Sequence, residues 1–186
     1  MFKYFLIAST ATGLAMGAQA QSYDSDTGFY LDGGYQYLEI EPDGAEQGVD
    51  TNGIAARLGY KFNNVFSLEG ELASGIDDGE FDYNVDEDEF NLDDNNDGDF
   101  NDLIAASGDI GLNYLVGLYG RADLPVTERM DLFARAGYAY IDLDASLATP
   151  GGAPITVEDS EEGPAVGAGV TYDLTENWQL RGDYTY

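Results

Sequence analysis

The chain of 186 residues has no cysteine, no histidine, a single tryptophan, five prolines and only seven basic side chains. Without cysteine there is no disulfide framework and no thiolate metal site, so stability has to come from size, a closed hydrogen-bonded sheet or bound metal. Without histidine, every mechanism built on an imidazole base and every site built on an imidazole ligand is excluded. The seven cations stand against 36 acids, a net charge of −29, which makes nucleic acid an unsuitable partner. Long apolar runs are also missing, and beyond the N-terminus nothing approaches a membrane-spanning helix.

What is present begins with a targeting pattern. In MFKYFLIASTATGLAMGAQA, Lys3 gives a positive start, Phe5 to Met16 an apolar stretch, and Ala18-Gln19-Ala20 a small-residue cleavage site. The expectation is a signal peptide over residues 1–20 and a mature protein that starts near Gln21 as one domain over residues 21–186. Losing Lys3 leaves six cations against the same 36 acids.

Apolar and polar residues alternate along the mature chain with the period of a strand whose two faces differ. Seven such segments run Thr27–Glu41, Asn52–Asn63, Val65–Ser74, Asp109–Pro125, Met130–Leu143, Pro164–Leu174 and Asn177–Tyr186. No stretch has a 3.6-residue apolar period, and 24 glycines with 14 tyrosines suit sheet. The connections alternate in length. Asn63-Asn64, residues 126–129 and residues 175–177 are tight turns, whereas PDGAEQGVD, the acidic low-complexity stretch Asp77–Asp102 and SLATPGGAPITVEDSEEG are long loops. Short turns at one end and long loops at the other describe an all-β, antiparallel up-and-down transmembrane β-barrel, with its turns in the periplasm and its loops outside the cell.

The charges sort by face. The second strand sets Ile54, Ala56, Leu58, Tyr60 and Phe62 against Ala55, Arg57, Gly59 and Lys61, and the third sets Phe66, Leu68, Gly70 and Leu72 against Ser67, Glu69 and Glu71. The fourth sets Ile110, Leu112, Tyr114, Val116 and Leu118 against Asn113, Gly117, Tyr119, Arg121 and Asp123. Arg135, Asp173, Arg181 and Asp183 also fall on the polar face, and Arg129 lies in a turn. An Arg facing lipid at mid-bilayer costs about 2–4 kcal/mol, so a face free of cations is the lipid face. The polar face then lines the lumen, where Arg57, Lys61, Arg121, Arg135 and Arg181 are expected to pair with Glu69, Glu71, Asp123, Asp173 and Asp183, because an unpartnered buried charge is strongly destabilising. The alternative is a soluble, secreted lipocalin-like binding barrel, with its polar face in water. Aromatics near strand ends, among them Phe29, Tyr35, Tyr60, Tyr138, Tyr172, Trp178 and Tyr184, suit two interfacial girdles.

The hairpin IAARLGYKFNNVFSLEGEL, the strand LFARAGYAYIDL and the hairpin GPAVGAGVTYDLTENWQLRGDYTY together resemble the outer membrane protein β-barrel family, the small eight-stranded group that includes the barrel of outer-membrane protein A. The resemblance covers nearly the whole mature length and implies residence in the outer membrane of a Gram-negative cell, contact with lipid and lipopolysaccharide, and a monomer inserted by the outer-membrane assembly machinery. Members end in an eighth strand that closes with Phe and serves as the assembly signal. Here seven of the expected eight strands are present, so a C-terminal strand is expected to be missing, unless Tyr184-Thr185-Tyr186 stands in for that signal.

Within the acidic stretch, DDNNDGDFNDLI repeats the first part of a calcium-binding loop, with oxygens at Asp93, Asn95, Asp97, Asp99 and Asn101 and glycine at the sixth position. Ile104 stands where a bidentate Glu would close the site, and the competing reading is a solvated acidic loop. Calcium here is the one cofactor the sequence suggests. Glu69 and Glu71 are alternate residues on one strand facing cations, which reads as ion pairing and not as a hydrolytic pair. The expected function is a non-enzymatic structural or surface-interaction barrel with an ion-paired lumen, the alternative a narrow porin-like channel.

Overall fold

The computed structural model describes residues 4–6, 13–16, 27–41, 49–86, 103–147 and 155–186. Its strands are β1 (Tyr4–Leu6), β2 (Gly13–Met16), β3 (Gly28–Glu41), β4 (Val49–Lys61), β5 (Phe66–Asp77), β6 (Gly79–Asp86), β7 (Leu103–Pro125), β8 (Met130–Leu147), β9 (Ile155–Asp173) and β10 (Trp178–Thr185). All pairings are antiparallel, and neighbours from β3 to β10 follow chain order. β5 and β6 form one strand interrupted at Asp78, because both pair β7, Ala73 opposite Leu115 and Gly79 opposite Ile110.

The sheet returns on itself through β2. Gly13–Met16 pairs with Arg181–Trp178 of β10, and Met16 also pairs with Leu31 of β3, while Tyr4–Leu6 lies against Glu41–Glu39 higher on β3. Both segments fall within the residues expected to form the signal peptide. Among the described residues β3 and β10 have no pairing with each other, so one strand's width separates them.

Each tight turn is closed by a side-chain oxygen, which supplies the local hydrogen bond that favours a turn over continued strand. Asn63 Oδ1 accepts from the amides of Val65 and Phe66, both at 2.8 Å. Thr127 Oγ1 accepts from the amide of Arg129, and Thr175 Oγ1 from that of Trp178 at 3.1 Å.

Five strands run further than the sequence suggests, three of them by six residues or more. The third continues past Asp78 to Asp86, the fourth begins at Leu103 and not at Asp109, and the sixth begins at Ile155 and not at Pro164. Residues assigned to long loops thus form the tall hairpins β6–β7 and β8–β9, with Asp86 opposite Leu103 and Leu147 opposite Ile155. Cross-strand hydrogen bonding outweighs their acidic composition.

A bulge corrects one face assignment. Leu112 stands opposite Leu143 but Tyr114 stands opposite Asp142, which makes Asn113 the extra residue and reverses inside and outside along β7. Ile110 and Leu112 therefore point inward and are buried, whereas Tyr114, Val116 and Leu118 of the same alternation point outward.

Candidate functional site

The decisive feature is that this sheet is inside out. Leu58, Leu118 and Leu124 are 57, 57 and 64% exposed, while Arg57 and Glu69 are 1 and 0% exposed. In water, such an arrangement would waste the apolar surface and desolvate every charge; in a bilayer it places apolar groups in hydrocarbon and polar groups in a protein-walled lumen. The outward band on β7 runs from Leu124 to Tyr114, eleven residues, the length of a transmembrane strand. Aromatics mark both ends of it. On the turn side Phe29 and Tyr60 meet edge to face at 4.8 Å, and Tyr60 and Phe62 at 5.3 Å; on the loop side Tyr114 and Tyr140 stack at 5.8 Å.

Inside, Glu69 is the hub. Its carboxylate accepts from Arg181 Nη1 at 2.7 Å and Nη2 at 3.2 Å, from Arg121 Nη1 at 3.0 Å and from the Tyr30 hydroxyl at 2.6 Å. Glu71, two residues on and hence on the same face, accepts from Arg57 Nη2 at 2.9 Å and Arg135 Nη1 at 2.7 Å. Asp123 pairs with Arg121, and Asp183 with Arg181 at 3.0 Å and Arg135 at 3.2 Å. Phe133 is held between two guanidiniums, with Arg121 Cζ 3.9 Å and Arg181 Cζ 4.6 Å from its ring centre, and Arg135 Cζ lies 4.3 Å over Tyr119.

Glycine makes room for these rings. A Cβ on Gly59 would strike the Tyr30 ring, one on Gly117 the Tyr119 ring, and one on Gly169 would lie 2.5 Å from Phe133 Cζ. These three inner-face glycines are thus sites of close approach, each covered by an aromatic from its own or a neighbouring strand.

The amino-acid sequence matches the outer membrane protein beta-barrel domain family over residues 8–186. The chain belongs to that family. It is a β-barrel of the bacterial outer membrane, which removes the soluble lipocalin-like alternative. No curated protein matches the sequence. Among solved structures it is similar to Ail, the attachment invasion locus protein of Yersinia pestis, crystallised with the heparin analogue sucrose octasulfate, at 14% identity over 94% of this chain and 99% of that one, with a TM-score of 0.43.

Of the lumen residues singled out in the sequence of this family member, Arg57, Arg121, Arg135, Arg181, Glu69, Glu71, Asp123 and Asp183 come together in one network. Lys61 and Asp173 do not enter it. Lys61 sits at the turn-side rim with Nζ 5.8 Å from the Tyr30 ring centre, and Asp173 accepts from Gln179 Nε2 at 2.8 Å. Asp32 joins unforeseen, 3.3 Å from Arg181 Nη1 and 3.8 Å from Arg57 Nη1. Its signal was its place in the alternation with Tyr30 and Gln36, and its register opposite Arg57.

Above the charged layer lies a second, apolar layer. Leu38, Val49, Ala55, Ala73, Ile110, Leu112, Leu115, Ile141 and Leu143 form one buried apolar cluster toward the loop side. Asp93, Asn95, Asp97, Asp99 and Asn101 lie outside the described residues. Ile104, the twelfth position of that calcium-loop pattern, pairs with Val85 in the β6–β7 ladder. Among the described residues no group of acids is placed to hold a metal ion.

Proposed function

We propose that this outer-membrane barrel is non-enzymatic and acts by surface interaction, with a lumen sealed to solutes and an acidic β-extension presented outside the cell. The observation that carries this reading is the stacking of an apolar plug, centred on Leu112, Leu115, Ile141 and Leu143, upon an ion-paired layer. An ion crossing the barrel would have to part the charged layer and then shed its hydration in the apolar one, and an eight-stranded lumen has width for side chains alone. Above the loop-side aromatics, β6 to β9 continue as sheet and carry Glu80, Asp109 and Glu158 exposed. Such a surface suits a cationic partner, or lipopolysaccharide phosphates reached through shared divalent cations. Insertion by the assembly machinery and a monomeric state complete the reading.

Planar-bilayer recording tests the seal. The purified barrel is expected to give no unitary conductance steps, and reproducible steps that vanish on boiling would replace this reading by that of a narrow channel.

A further inference from the structure

The outward face of the sheet carries a polar notch where the lipid-facing band of β7 ends. The bulge creates it. In a regular strand neighbouring side chains take opposite faces, but here Asn113 and Tyr114 are consecutive and both exposed. Across the sheet Tyr114 stands opposite Asp142, and Asp142 opposite Ser160. One row nearer the membrane centre, Leu72 and Val116 of the lipid-facing band continue into Tyr140 and the exposed Glu162. The side chains meet. Asn113 Nδ2 donates to Asp142 Oδ1 at 2.9 Å, the Tyr140 hydroxyl to Asp142 Oδ2 at 3.5 Å, and the Tyr114 and Tyr140 rings stack at 5.8 Å. A carboxylate in such a row is costly against hydrocarbon, so the notch asks for a covering group that donates.

We propose that this notch of Asn113, Tyr114, Tyr140, Asp142, Ser160 and Glu162 binds the saccharide of an outer-leaflet glycolipid. The site rests on the surface-interaction reading above and names one partner for it. Continuity sets the kind of partner. The notch is the loop-side end of the lipid interface, so what covers it is the headgroup of a lipid whose chains lie on Leu72, Val116 and Leu118, all exposed. Charge sets the chemistry. Arg57, Arg121, Arg135 and Arg181 are buried in the lumen, Lys61 is at the turn-side rim and Arg129 in a turn, so among the described residues no cation stands at this rim to pair with a phosphate. Two carboxylates and an amide oxygen instead accept from neutral hydroxyls, and such bonds to a charged acceptor are strong. A sugar ring presents several hydroxyls along one edge and an apolar face that packs on a tyrosine ring. The bulge serves both needs, because it sets an acceptor and an aromatic side by side on one strand.

The test uses the full chain folded in micelles of an amine-oxide detergent, which carries no sugar. The probe is dephosphorylated lipid A, an acylated glucosamine disaccharide, and phosphatidylglycerol is the lipid with a phosphate and no sugar ring. Binding is titrated by native mass spectrometry. Dephosphorylated lipid A is expected to bind about tenfold more tightly than phosphatidylglycerol, and equally well in EDTA and in magnesium. Asn113→Leu combined with Asp142→Leu is expected to remove that preference and Tyr114→Leu to weaken it, whereas Phe29→Leu on the turn side leaves it unchanged. Heat-modifiable migration shows which variants are folded, and leucine at outward positions suits a lipid face. Equal affinity of the parent for the two lipids, loss of binding in EDTA, or a folded double variant that keeps the full preference would each overturn the proposal. Loss of the site would leave planar bilayers silent, whereas failure of the reading it rests on would appear there as conductance steps, so the two are told apart.

Discussion

Glu69→Gln is the sharpest single probe of the lumen. The substitution keeps shape and one carbonyl oxygen, so Tyr30 and one guanidinium can still donate to it. It removes the negative charge shared by Arg121 and Arg181, and it turns one of the two oxygens into an amide that donates toward donors. Arg121 keeps Asp123, and Arg181 keeps Asp32 and Asp183, so neither cation is wholly abandoned. Hydrogen bonds to charged groups are each worth about 1.5–3 kcal/mol, and breaking a buried pair typically costs about 3–5 kcal/mol. Two strong contacts are lost and the remaining carboxylates offset part of the deficit, which places the expected loss at about 3–5 kcal/mol. The assay is the urea midpoint of unfolding in lipid vesicles, read by Trp178 fluorescence, with Glu176→Gln on the exposed β9–β10 turn as control. A loss under about 1 kcal/mol, the level of an exposed ion pair, would show that solvent reaches the network and would refute its description as a sealed layer.

Other residues give independent tests. Leu118→Arg places a cation in the outward band and is expected to cost about 2–4 kcal/mol in vesicles, against almost nothing for Thr127→Arg on the turn; equal effects would mean that Leu118 does not face lipid. Gly59→Val drives a side chain into the Tyr30 ring and is expected to lower stability by about 1–3 kcal/mol, with Tyr30→Ala in the same chain restoring part of it; no restoration would place the clash elsewhere. Above the membrane, burial first, and then the neighbouring Asp144, Asp109 and Asp77, raise the pKa of Asp78. A raised carboxyl binds its proton more tightly folded than unfolded, so the hairpin gains stability below the shifted value and loses it as pH rises through that window. Hydrogen exchange in β6 and the facing part of β7 is expected to show more protection at pH 4 than at pH 7, after correction for intrinsic rates, with the difference reduced by salt; a flat profile would remove the linkage. Calcium is expected to slow proteolysis within residues 77–102, and unchanged cleavage would leave the solvated-loop reading of Asp93 to Asn101.

The turn-side half of the barrel was legible because nothing interrupts its alternation. From Ile54 to Lys61 and from Phe66 to Ala73 every second residue keeps its face, so placing Arg57, Glu69 and Glu71 together needed only the Asn63 turn between them. The loop-side half was not. The extra residue at Asn113 reverses the faces of β7, a shift that side-chain type alone does not announce, and it put Ile110 and Leu112 on the wrong side. Acidic composition concealed β6, although GEFDYNVD alternates polar and apolar residues as a strand does. Asp32 lies within the first expected strand, whose faces composition leaves unsorted because Gly33 and Gly34 interrupt the contrast; the thirteen consecutive pairings between β3 and β4 are what set it opposite Arg57. The apolar plug was missed for another reason: a lumen with two layers of opposite polarity cannot be read from the contrast between two faces.

The charged layer has a second consequence, which concerns specificity more than stability. Replacing a buried ion network by apolar residues is often neutral or stabilising, so its presence is weak support for a strength role. In a membrane barrel the competing structures include register slips, and a one-residue slip turns every side chain of a strand to the opposite face. For β4, β7, β8 or β10 such a slip would move Arg57, Arg121, Arg135 or Arg181 from a paired site into hydrocarbon, at about 2–4 kcal/mol for exposure to lipid and a further few for the partners left behind. An apolar inner face would impose no such penalty, since both faces would then be at home in lipid. One arginine on each of four strands therefore holds the register of the whole sheet, and this asks for charge at those positions whatever their contribution to unfolding. The expectation is checkable in the eightfold variant with Arg57, Arg121, Arg135 and Arg181 all changed to Met and Glu69, Glu71, Asp123 and Asp183 changed to Leu. It should still insert as sheet, while disulfides between cysteines placed one residue out of register, absent from the parent, should form in it; a variant that crosslinks only in the parent register would show that the turns at Asn63, Thr127 and Thr175 suffice to set it.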